Sequence, residues 1–306
     1  NGQGLGWNGT LWVAVGQGTN AIAYSTTGLS WTGISTSTSI FNLGGWNVCW
    51  NGKMWISTGA GSGSPGGNFV AYSYDGINWT GLGNLSFGVN CVGITSNYNL
   101  PATVYIQQPT IALGAGTNTL AYSTDGILWS GLGTIIFSTS GRDCAWNGSM
   151  YVAVGIGTNT LAYSYDGLNW TGLGTTIFST YCYNIAWNGS MWVAVGSGTN
   201  SIAYSYNGTS WAGLGTNAIS VAGSGIAWNG TIWVAVGDGT SPIAYSSNGI
   251  VWTGAISQSV SNYTNFTGSE ALVTIYDKTD ITFTAPSNLD NVFSFLNSSA
   301  RRCKLF

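Results

Sequence analysis

The chain has 306 residues, 44% hydrophobic and 14% aromatic, with 16 Trp and 16 Tyr beside 47 Gly, enough to build a core and to exclude a disordered chain. Only 5% of the residues are charged, against roughly 25% in ordinary soluble domains, so Ser, Thr, Asn, Gly and backbone must cover the surface. Six basic and nine acidic residues leave a net charge of -3, with no basic patch for nucleic acid and no apolar run long enough for a membrane span.

In chain order, the first element is a short strand ending at Trp7, followed by Asn8-Gly9. Asn-Gly recurs at 51–52, 147–148, 188–189 and 229–230. It reads as a two-residue type I′ hairpin joining strand one to strand two, because both central positions of that turn need positive φ. Strand two is W-V-A-V-G or a close variant, apolar at consecutive positions as expected of a strand covered on both faces. It ends at a G-x-G-T-N turn. Strand three is I-A-Y-S or similar, and a third turn leads to a short strand and a closing Trp.

The closing residues are Trp31, Trp79, Trp129, Trp170, Trp211 and Trp252, spaced by 48, 50, 41, 41 and 41 residues. Six repeats of four short strands predict an all-β chain, a six-bladed β-propeller of four-stranded antiparallel blades over residues 1–254. Insertions fall at 61–67 and near 97–108. Trp12, Trp55, Trp192 and Trp233, with Tyr151 in the fourth repeat, are expected to fill the gaps between blades. Residues 255–306 leave the repeat as a C-terminal extension with strand-like stretches at 271–276 and 281–284. A latch on the propeller and an arm docking to another chain both fit. The chain opens at Asn1 without an initiator Met, which reads as a processed or truncated product.

Five Cys are present, without the paired spacing of a zinc site. Cys49, Cys91, Cys144 and Cys182 occupy related places in successive repeats, open either to a disulfide between neighbours or to service as buried small hydrophobes. Asn262, Asn265 and Asn297 carry glycosylation sequons outside the repeat. No cofactor or metal is expected.

The third turn, Y-S-Y-D-G-I-N-W at 72–79, Y-S-T-D-G-I-L-W at 122–129 and Y-S-Y-D-G-L-N-W at 163–170, resembles the Asp-box of sialidase-like and BNR-repeat propellers, one residue shorter than the usual form. The resemblance implies a structural turn in which Asp75, Asp125 and Asp166 bond local backbone, with Asn207 and Asn248 as substitutes and Thr27 a weaker one. It does not carry sialidase chemistry here. That family needs three Arg, and Arg142 stands alone within the repeats; the chain has no His, and no acidic spacing supports a catalytic pair. No catalytic residue is therefore assigned.

Phrases such as W-N-G-S-M-W-V-A-V-G-x-G-T-N, and I-F-S-T-S at 136–140, are similar to propeller-repeat proteins of large DNA viruses of protists. That likeness implies a virion or surface component without catalytic activity. The resulting expectation is a structural or interaction propeller on a virion surface or outside the cell, its partners being other chains of an assembly reached through loops and tail. A multivalent glycan-binding propeller is the alternative, and a sialidase-like hydrolase the less favoured one.

Overall fold

The computed structural model describes residues 2–61, 67–83, 87–96 and 108–254, together with the backbone of four strands within the extension. Units 1 to 6 each form a four-stranded antiparallel meander. Unit 1 runs Gly2–Trp7, Trp12–Gly16, Ile22–Ser25 and Thr32–Gly33, and unit 5 runs Tyr181–Trp187, Trp192–Ser197, Ile202–Ser205 and Ala212–Gly213. The other four repeat this order, unit 3 included, although its opening W-N-G is lost. Fourth strands of two residues leave almost no open edge for foreign pairing.

First strands of successive units stand side by side, unit 1 against 2, 2 against 3, and so on to unit 6. They therefore line the axis, and the short fourth strands lie outermost. Single bridges tie unit 3 to unit 4 (Ala115 with Ser140) and unit 5 to unit 6 (Ser197 with Ala222).

The core consists of five layers between units. In each, the alternate apolar residues of one unit's second strand meet the next unit's second strand. Val193, Val195 and Ile202 of unit 5, for example, pack on Trp233, Ala235 and Ala244 of unit 6. Trp55, Trp192, Trp233 and Tyr151 are fully buried in this way. Trp12 is the exception: it lies on the outer side of unit 1 and is only half-buried. The three buried indole N–H groups have no hydrogen-bond partner, so they are there for volume, whereas the Tyr151 hydroxyl donates to the Pro109 carbonyl at 2.6 Å.

The Asn-Gly hairpins differ from expectation by one position. Trp7 pairs with Trp12 and Asn8 N–H donates to Leu11 O, so the two central residues are Gly9 and Thr10. Gly9 supplies positive φ, at 101°, at the first central position, and a β-branched Thr resists the positive φ that type I′ would impose at the second. Asn8 acts instead through its side chain, whose oxygen accepts from Thr10 and Leu11 N–H.

Cys49, Cys91, Cys144 and Cys182 are buried, each on the first strand of its unit. Cys182 donates to Val195 O at 3.3 Å within its own unit. Asn262, Asn265 and Asn297 lie outside the described residues.

Candidate functional site

One kind of polar position recurs in every unit, a second recurs in the first five units with Ser241 in its place in the sixth, and a third differs in every unit. The first is the third-turn corner. At Asp75 the carboxylate Oδ1 accepts from Ile77 N–H, Asn78 N–H and the Ser73 hydroxyl, and Trp79 Nε1 donates to Gly76 O at 3.0 Å. Asp125 and Asp166 repeat the pattern, and Asn207 and Asn248 do so with their amide oxygens. Thr27 makes the same bonds at 3.2 and 3.4 Å, longer than those of the carboxylates. Desolvation, the largest single influence on Asp75, acts upward; the Asn78 N–H and side-chain amide, Ile77 N–H and Ser73 hydroxyl outweigh it and hold the carboxyl down to about 2. Asp166 is held at about 2 by the same balance. These carboxylates are committed to backbone and leave no proton chemistry at neutral pH.

The second is the Asn of G-T-N, which the sequence marked only as part of a turn. Asn159 Oδ1 accepts from Gly174 N–H at 2.8 Å while its Nδ2 donates to Ile136 O at 2.7 Å. One amide thus pins the segment entering the unit to the segment leaving it. Asn68 and Asn200 do the same. The glycine beneath it is obligatory, since a Cβ on Gly172 would sit 2.3 Å from Asn159 Oδ1. Recurrence of G-T-N together with T-G-L-G, the two halves of the clamp, was the available signal.

The third lies on the axis. Every first strand carries a bulge at one place, where a residue is skipped in the pairing with the second strand. The skipped residues are Gln3, Trp46, Val92, Arg142, Tyr183 and Ser224. Bulges re-aim side chains and gather next to binding sites. In a chain whose repeats are otherwise nearly the same sentence, this position holds six different chemistries. Trp46, Arg142, Tyr183 and Ser224 are half-buried, whereas Gln3 and Val92 are buried.

Behind the ring a polar relay crosses units. Buried Asp143 accepts from Asn184 Nδ2 at 2.7 Å, and Asn184 Oδ1 accepts from Ile226 N–H at 3.0 Å, linking units 4, 5 and 6. Arg142, the one guanidinium of the repeats, lies 5.3 Å over the Tyr183 ring, which stacks on Tyr181 at 4.2 Å. Burial, then the charge of Asp143, push the Cys182 thiol well above its usual range, making it inert. Among the described residues no cluster of His, Cys, Asp or Glu could hold a metal ion, and no helix is long and apolar enough to cross a membrane.

No protein-family model matches the chain, and no curated protein matches it. Among solved structures it is similar to virginiamycin B lyase from Staphylococcus aureus, with a TM-score of 0.65 at 10% identity over 93% of this chain and 91% of that one. It is also similar to YCF48 from Cyanidioschyzon merolae, at 0.59 and 13% over 93% and 92%. Saccharomyces cerevisiae Sqt1 gives 0.60 and 10% over 95% and 84%. Identities this low carry fold alone, and the fold they agree on with the strand order above is an all-β propeller of four-stranded antiparallel blades.

Proposed function

We propose that the chain is a non-enzymatic interaction propeller whose axial ring recognises a segment of another protein. The observation that carries this is the bulge position, where the scaffold repeats and the side chain does not. Its half-buried members are an indole, a phenol, a hydroxyl and one guanidinium, which suit an apolar segment bearing a carboxylate. Arg142 carries no matching nucleophile and base, and the neighbouring carboxylate of Asp143 is engaged by Asn184, so the groups favour holding over transforming. A charge-poor surface of Ser, Thr, Asn and Gly suits a component packed on a particle or cell surface, and the wording of the repeat supports a virion component as its specific form.

Panning a displayed peptide library on the purified chain tests the axial ring. Selected peptides should share an acidic group and lose binding by at least tenfold with Arg142→Gln or Trp46→Ala. Selection that ignores both substitutions would contradict the reading.

One observation favours the glycan-binding alternative. Tyr74, Tyr165 and Tyr206 are 56%, 61% and 63% exposed, each edge-on to Tyr72, Tyr163 or Tyr204, and each precedes a polar corner residue. Three such platforms on one disc could gain strength by multivalency. Glycan-array binding that survives Arg142→Gln and disappears when the three exposed tyrosines become Ser would move the assignment to this reading.

A further inference from the structure

The stack of units has two ends that are built as interfaces. On the outer side of unit 1, Trp12, Ala14 and Ala23 are half-buried, whereas their counterparts Trp192, Ala194 and Ala203 in unit 5 are fully buried. Trp31 is 40% exposed, while the five other closing Trp residues are better covered. The corner glycines show the same contrast. A Cβ on Gly76 would strike Leu11 and Val13 of the preceding unit, and one on Gly208 would strike Met150 and Val152; at Gly28 the three nearest atoms, among the described residues, all belong to its own unit's Trp12.

Unit 6 shows the matching deficit on its opposite side. Val236 is half-buried and Tyr245 is 38% exposed, whereas Val195 of unit 5 is fully buried and Tyr204 half-buried. These two faces are the halves of a layer like the other five, yet among the described residues no core cluster joins unit 6 to unit 1.

The chain holds an object of the right kind. Within residues 255–306, strands Phe266–Gly268, Ala271–Asp277, Asp280–Thr284 and Phe293–Leu296 pair in sequence as a four-stranded antiparallel meander, the same topology as a repeat unit. The last of them, and not the first as between repeat units, lies beside Gly2–Trp7 of unit 1, so its strands run in the reverse order relative to the axis. The repeats end at Gly254, about 83% of the way along 306 residues, while the match to virginiamycin B lyase covers 93% of the chain and that to Sqt1 95%, so these two likenesses run on into the extension.

We propose that the C-terminal meander is a closing sector of the ring: it seats between the forward face of unit 6 and the outer face of unit 1, covering Trp12, Ala14 and Tyr245. This selects the latch over the docking arm, and it stands independently of the axial-ring reading. The sector carries none of the corner or G-T-N grammar, so it is held by the two apolar faces it covers.

The test is to insert a protease site within residues 255–265, cut the folded chain and weigh it in its native state. The closing sector should remain bound at one fragment per disc, and Ala14→Asp should release it while the far-ultraviolet circular dichroism of the disc is kept. Departure of the fragment from the uncut-face disc, or a dimer in which a second copy covers the two faces, would overturn the proposal. On the intact chain, amide hydrogens of Ala271–Asp277 and Asp280–Thr284 should be protected from exchange as strongly as those of Trp192–Ser197. Exchange there at unfolded-chain rates would overturn it equally, whatever the cut chain does.

Discussion

An Asn in each of the first five repeats illustrates how a residue chosen for a turn is employed twice. In Asn159 the turn puts the amide between two half-buried backbone groups, Ile136 O and Gly174 N–H, and partners both. Removing one partner of a buried hydrogen bond costs the desolvation of the group left behind, about 1–3 kcal/mol. We expect Asn159→Ala to lower unfolding free energy by about that amount in urea titrations, and Asn159→Asp, which keeps only the acceptor, to fall between it and the wild type. The corner carboxylates are a second case. Their acidity is raised in the folded chain, to about 2 at Asp75 and Asp166, and Asp125 shifts the same way, chiefly through the Ile127 and Leu128 N–H groups.

A carboxyl depressed on folding stabilises fully above its unfolded value, near 4, and that contribution is lost as pH falls toward 2. Asn207 and Asn248 build the same corner without a charge. The combined variant Asp75→Asn, Asp125→Asn, Asp166→Asn should therefore remain folded at pH 7 and show a flatter loss of stability between pH 4 and pH 2 in acid titrations followed by Trp fluorescence. An acid limb unchanged from wild type would show that the corners do not carry the dependence.

At the scale of the element, the interface between units is set by which side of the second strand faces forward. In W-V-A-V the two valines meet the following unit and the Trp and Ala meet the preceding one, so a single strand serves two layers. Truncating a fully buried aromatic costs about 3–5 kcal/mol. Trp192→Ala should lose stability in that range by denaturant titration.

The elements were legible because the sequence writes its corners with residues that have little conformational alternative: Asn-Gly, Asp-Gly and a closing Trp at a fixed spacing. Hairpin type was misread because Asn acts through its side chain, while the glycine after it supplies the φ. The axial relay was not read at all, since Asp143 and Asn184 belong to different repeats and meet only when first strands stand side by side. Their separation of 41 residues is one repeat period, and aligning the units column by column on polar residues would have exposed it. The same alignment shows the bulge column as the place where the repeat stops repeating, a signal visible only once the skipped residue is known.

For the whole molecule, the account is of a ring whose sectors are nearly interchangeable and whose individuality is confined to the axis and to the closure. Stability accrues layer by layer between neighbours, while the recognition proposed above falls to the four half-buried side chains of the bulge position. Tight Asx-type corners and two-residue outer strands keep the periphery rigid and unavailable for strand addition. Serial stacking of the repeat units about an axis is decided by a density map at side-chain resolution. The account predicts a closed ring in which the side chains of Trp55, Tyr151, Trp192 and Trp233 each lie between successive units, with Arg142 and Tyr183 facing the axis. An open solenoid, a two-sheet sandwich, or a ring in which those aromatics point to solvent would contradict it.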